Sequence, residues 1–268
     1  MTDNTSSPTL TVRLRQANSK ELLALVQEHG RTFGIREVRQ TLLNPFVSSV
    51  ILEELLALRQ LSTVYEIRVA LCRHRRTPEV GAIRLVPGLR WRELMEVASD
   101  LRLSPALRRV AEKYLVQRMP RLSVGEKITL ARRASPEVMV ALRQDPSLGV
   151  VRALLENSRL TEALLQPLVA SDRTRPQILK LVADHLRWGR LYGVRKALAT
   201  NPLTPFGILF EILPNLLRPD LEAVSNQESH SSVVRQRALE ILESGGAKEP
   251  PEEPELHLLP IDPSHSYK

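Results

Sequence analysis

The chain holds one cysteine, Cys72, in 268 residues. A lone thiol excludes an intrachain disulfide framework and any four-thiolate metal or iron–sulfur site built from this chain alone, and it suits a reducing cytoplasm. Aromatic residues make up only 4 %. The core must then rest on Leu, Val, Ile and Ala, as in helix-on-helix packing; strands of sandwiches and barrels favour aromatic and β-branched side chains. Eleven glycines leave little material for backbone cradles around nucleotides. A Gly-rich phosphate loop, a His-Glu-x-x-His pair and a nucleophile elbow are all missing. No run approaches the ~18 apolar residues of a membrane span. The stretch from Met1 to Thr11 lacks the basic-then-apolar pattern of an export signal. These absences lead to the expectation of a soluble, cytoplasmic protein with no membrane association, cofactor, metal or small-molecule substrate.

What is present is charge and helical punctuation. The formal net charge is +8, unevenly spread. Residues 244–268 carry two Lys and five acidic residues, a net −3, which leaves residues 1–243 at 8 + 3 = +11. Of the 38 basic residues, 31 are Arg, the side chain whose planar fork matches phosphate and carboxylate. An Arg-for-Lys bias in the genome's base composition accounts for the same count. A basic body with an acidic tail points to an anionic partner or to a tail that folds back.

Helices announce themselves by their ends. Asn18 or Ser19 caps the first one expected, Glu21 follows at capping-box distance from Asn18, and Gly30 is placed to close it in the left-handed conformation. Residues 1–17 show no core-facing stripe and are expected to fray. Then a pattern recurs. Val194 to Thr200 forms a short helix that runs into Asn201-Pro202. Thr204 is placed as N-cap and Pro205 as first helical residue, and an apolar helix follows from Phe206 to Leu213. The same order appears at 67–78, 130–136, 151–161 and 38–45. Ser104-Pro105 opens another helix, Ser123 with Glu126 makes a capping box, and Val234 to Leu239 reads as a truncated last copy. Thr77, Ser104, Ser135 and Thr161 lie 27, 31 and 26 residues apart; Thr204 follows after 43, with an extra helix inserted from Pro176 to Trp188. A recurrence of this length, one helix pair per unit, indicates a stack in which each pair buries its apolar face on its neighbours. The expected organisation is a flexible segment 1–17, a helical repeat domain 18–243, and a disordered acidic Pro-rich tail 244–268.

Val194 to Leu213 resembles the leucine-rich repeat variant unit, a relative of HEAT-like helical repeats. That unit reads roughly Val-Arg-x-x-Val/Leu-Ala-x-Asn-Pro-x-Thr-Pro, followed by an apolar helix that ends in two leucines. Residues 67–89 and 130–142 match about half of the pattern; residues 151–169 keep the helix positions and Asn157 but lack both prolines. The resemblance implies an all-α, right-handed solenoid of stacked helix pairs with a concave face for partners. An iron–sulfur module known in one family member sits in a cysteine-rich segment that has no counterpart here.

Several residues raise chemistry. Cys72 is either a small core residue or a thiol activated by Arg73, Arg75 and Arg76. Asp184-His185 is an acid–His pair, but adjacent helical residues point about 100° apart and do not form a dyad. Trp91 and Trp188 each sit among arginines. They read either as stacking surfaces for a base beside phosphate contacts or as plugs between repeats. Arg73, Arg75, Arg76, Arg132, Arg133 and Arg159 fall in corresponding turns, with Arg173 and Arg175 beyond them. If the turns line one edge, they form a stripe for phosphates or an acidic protein surface; otherwise they are solvated loops. The expectation is a non-enzymatic scaffold that binds a protein partner through its stacked surface. The alternative is a nucleic-acid-binding repeat protein that uses the Arg stripe. The resemblance to HEAT-like proteins also brings in the alkylpurine DNA glycosylases, which use basic concave surfaces.

Overall fold

The computed structural model describes residues 9–246 and Lys248. Among them are eighteen α-helices and five short 3-10 turns, and the one β feature is an isolated bridge between Leu217 and Lys248. The all-α expectation therefore holds. No helix of the described residues is long and apolar enough to cross a membrane. The N-terminal eight residues, and the expected tail apart from residues 244–246 and Lys248, lie outside the described residues.

The chain divides into two compact units, 1–165 and 166–268, with the boundary inside the helix Glu162–Ala170. In the first unit, helices pack pairwise and on helices two or three further along. Leu10–Gln16 lies on Ile35–Leu43, which lies on Tyr65–Arg73. Ser19–His29 lies on Ser49–Ala57, Trp91–Ser99 pairs with Pro105–Arg118, and Val124–Ala131 packs on Leu148–Leu155. In the second unit, Tyr192–Thr200 packs on Phe206–Ile212 and on Arg218–Asn226, and Ser232–Glu243 closes against the latter two. The core is aliphatic, as the scarcity of aromatics requires: Leu22, Leu52, Leu71, Leu94, Leu130, Val151, Leu179, Leu198 and Leu221 are all fully buried.

Buried side chains tie successive turns together. Asn44 donates its amide to Leu14 O (2.8 Å) and Ala17 O (2.9 Å) while its Oδ1 accepts Phe46 N–H. Asn157 repeats this on Ala131 O (2.7 Å) and Ala134 O (3.2 Å), accepting Arg159 N–H. Asn201 does so on Val169 O (2.5 Å) and Ser171 O (2.9 Å), accepting Leu203 N–H. Each side chain satisfies helix-end carbonyls that have no partner within their own helix.

A second set of ties joins helix starts. Tyr65 Oη donates to Glu93 (2.7 Å) and accepts Arg90 N–H. Tyr192 Oη donates to Asp220 and accepts Leu217 N–H. Trp91 Nε1 donates to Glu126 (2.9 Å), whose other oxygen accepts from Ser123 N–H and Oγ. In all three cases an aromatic residue opening one helix holds the carboxylate in the first turn of a later helix, where the macrodipole already favours negative charge.

Several local expectations need correcting. Leu10–Gln16 is helical, with Leu14 fully buried, instead of frayed. Gly30 is right-handed (φ −56°); a Cβ there would lie 2.8 Å from Leu58, so glycine serves close packing and not a left-handed cap. Thr204 and Thr77 do not cap the following helices. Their hydroxyls turn back to Leu198 O (2.6 Å) and Leu71 O (2.7 Å), and Pro205 precedes the helix instead of opening it. Asn18, Ser104 and the Ser123–Glu126 box cap as expected. The expected extra helix stops at Ala183, and Trp188 begins a separate 3-10 turn. Val234 to Leu239, read as a truncated last copy, lies within the helix Ser232–Glu243, capped by Ser231.

Candidate functional site

Turns closed by a side chain two residues upstream, one of them that of Asn157, also place arginines. Arg159 N–H bonds to Asn157 Oδ1 (2.8 Å), Arg102 N–H to Asp100 Oδ1 (3.0 Å) and Arg76 N–H to His74 Nδ1 (3.3 Å). Each of these folds the backbone so that the arginine two residues after the anchor leaves the turn at an equivalent place. Arg102 belongs to this set and escaped the sequence reading. Its signal was the Asp100-x-Arg102 spacing, which repeats Asn157-x-Arg159 and His74-x-Arg76.

Their guanidiniums then diverge in role. Arg76 donates to Pro45 O (2.7 Å) and Val47 O (2.6 Å), and Arg102 is held in a fork on Asp100 (2.9 and 2.8 Å). The Arg102 hydrogen bond is the main reason the Asp100 carboxyl sits at about 2, below its ordinary 3.8. Arg73 pairs with Glu96, while Arg75 is exposed. Arg132, Arg133 and Arg159 do come together. With Met95, Glu96, Ser99, Asn157 and Ser158 they line a cleft of about 220 Å³ in the first unit. Met95 supplies an almost buried apolar floor. Arg132 makes a loose 3.7 Å pair with Glu156, both exposed. Among the described residues no carboxylate pairs with Arg133 or Arg159, and both are exposed.

The arginines of the recurring Val/Ile-Arg pattern, Arg68 and Arg195, have other work. Arg195 Nε donates to Gly189 O (2.9 Å), and Arg68 donates to Ser62 O and Gly88 O, so each braces neighbouring backbone.

The remaining chemical candidates are taken up by packing. Cys72 is fully buried with Sγ 3.7 Å from Ala82 O. Burial pushes its thiol up to about 11, and the opposing Arg73 charge is the smaller influence. This corrects the activated-thiol reading. His185 Nδ1 accepts Arg187 N–H (3.2 Å) and Trp188 N–H (3.4 Å), and Asp184 pairs with Lys180 (3.2 Å), so the two neighbours act separately. Burial first, then Arg76 and Arg75, holds the His74 imidazole below its ordinary range.

The two tryptophans differ despite similar flanks. Trp91 is half-buried in its tie to Glu126, with Arg92 5.3 Å from its ring centre. Trp188 is 1 % exposed, with Arg187 4.1 Å from its ring centre. No face of Trp188 is open to a base, which corrects the stacking expectation there. No group of three or more metal-ligating side chains occurs among the described residues.

No family model, curated protein or solved structure matches the chain.

Proposed function

We propose that the chain is a non-enzymatic helical-repeat scaffold, its helix pairs stacked in the right-handed solenoid manner of HEAT-like and leucine-rich repeat variant proteins, and that it binds a protein partner. The cleft formed by Arg132, Arg133 and Arg159 at the turns of the stack carries this reading. It is an electropositive surface feature built by residues of Trp91–Ser99 and by the turns that follow Val124–Ala131 and Leu148–Leu155, three alternate helices, and a helical stack offers such surface with few reactive groups. The structural employment of Cys72, His185, Tyr65 and Tyr192 supports the same reading, because the groups best suited to chemistry are spent on burial and on ties between helices.

The test is affinity capture with the full chain, comparing wild type with Arg133→Glu/Arg159→Glu and with a control at Arg75→Glu. The scaffold reading expects a stoichiometric protein partner that survives nuclease treatment, is lost in the double variant and is kept in the control. The net +11 of residues 1–243 favours nucleic acid as the second reading. That reading predicts retention on DNA or RNA that falls steeply with salt and is abolished by nuclease.

A further inference from the structure

We propose that the Arg132–Arg133–Arg159 cleft is a phosphomonoester site that takes a phosphorylated side chain of the partner; this rests on the scaffold reading and specifies its ligand. The argument is one of charge, donors and size. The cleft and its immediate ion pairs contain four guanidiniums (Arg73, Arg132, Arg133, Arg159) and two carboxylates (Glu96, Glu156). The remainder, 4 − 2 = +2, matches a phosphate monoester dianion, whereas a carboxylate or a phosphodiester brings only one negative charge.

The charged donors are all arginines. Their forks bond two phosphate oxygens at once, a geometry that the point charge of lysine does not supply. Arg133 and Arg159 are exposed and free of carboxylate partners among the described residues, so binding breaks no existing ion pair of theirs. Their positions are nevertheless fixed by backbone. Arg159 N–H is held by the buried Asn157, and Arg133 O accepts Ser99 Oγ (3.4 Å) across the cleft. The freedom lost on binding is then confined to side-chain rotamers. Ser158 adds a hydroxyl to the lining. At about 220 Å³ the cleft has room for a phosphate and the first atoms of the side chain that carries it. Met95 offers apolar contact to those atoms.

The test is a titration of the full chain with three small probes, read at the arginine Nε–H signals by NMR. The probes are phenyl phosphate (a monoester), diphenyl phosphate (a diester) and benzoate (a carboxylate). Phenyl phosphate is expected to bind at least about tenfold more tightly than either of the others, and to lose at least about tenfold in Arg133→Gln/Arg159→Gln. Neither arginine holds another element in place, so this variant keeps the fold, and its unchanged backbone spectrum verifies that. Affinity is also expected to rise with pH through about 6, where the monoester takes its second charge.

Equal binding of benzoate or diphenyl phosphate, a flat pH profile, or full affinity in the double variant each overturns the proposal. Capture of the protein partner before and after phosphatase treatment separates the two levels. A partner retained equally after dephosphorylation leaves the scaffold reading standing and removes the phosphate site. A nuclease-sensitive partner in place of a protein removes the scaffold reading.

Discussion

Replacing Asn157 tests whether the buried asparagines hold the helices together. Its side chain is 1 % exposed and makes three hydrogen bonds, two given to Ala131 O and Ala134 O and one accepted from Arg159 N–H. Asn157→Ala removes all three and leaves two carbonyls and an amide beside a small cavity. A typical hydrogen bond contributes about 1 kcal/mol net, and a buried group left unsatisfied costs about 1–3 kcal/mol. The expected loss is therefore about 3–5 kcal/mol, a large share of the ~5–15 kcal/mol that folded domains possess.

Asn157→Asp sharpens the test. It keeps an acceptor for Arg159 N–H but turns a carboxylate oxygen toward two carbonyl oxygens, so at neutral pH it should be less stable than the alanine variant. Acidification protonates that carboxyl and restores one donor, so the aspartate variant should regain ground on the alanine variant as pH falls. Urea unfolding of the full chain, followed by circular dichroism, reads both effects, with a midpoint drop of at least about 1 M for alanine. An alanine variant within about 1 kcal/mol of wild type, or an aspartate variant equal to it, would refute the tether argument.

Glycine substitutions should diverge sharply. Gly189→Ala drives a Cβ to 1.9 Å from the backbone oxygen of Ala183, whereas Gly207→Ala meets open space inside Phe206–Ile212. Thermal melts should show strong destabilisation for the first and a gain of about 0.5–1 kcal/mol for the second. Asp100, at about 2 against an ordinary 3.8, contributes stability that is present above the unfolded value and lost as pH falls toward the folded one. Arg102→Gln should raise the Asp100 titration midpoint in an NMR pH series, and its stability deficit relative to wild type should shrink between about pH 4 and 2. The Cys72 thiol, buried and raised to about 11, should react with a disulfide reagent only at the rate of unfolding. Rapid labelling of the native chain at pH 7 would contradict its placement in the core.

The helical class was legible because proline, asparagine and Ser/Thr caps break an aliphatic sequence at helical intervals. Asn18, Ser104 and Ser123 cap as their positions suggest. Thr204 and Thr77 mislead because a hydroxyl beside a helix end can also bond back to the carbonyl six residues earlier. Local sequence does not decide between those partners; the path of the chain does. The 23–32-residue reach of the asparagine ties was invisible for the same reason. Composition likewise could not separate Trp91 from Trp188. Both have arginine neighbours, and only the burial of the second distinguishes them. Of the six arginines singled out, the structure gathers Arg132, Arg133 and Arg159, while Arg76 is spent on the carbonyls of Pro45 and Val47. Equal spacing in sequence brings side chains to equivalent turns but does not fix where each guanidinium finds its acceptor.

Site-directed photocrosslinking tests the central claim most directly. A photoreactive phenylalanine analogue in place of Ser158, inside the arginine cleft, is compared with the same analogue in place of Lys113, exposed on Pro105–Arg118. A partner docked on the cleft yields a discrete protein adduct from position 158 and none from 113. Adducts to nucleic acid alone, or the same adducts from both positions, would contradict a protein-binding scaffold that works through this cleft.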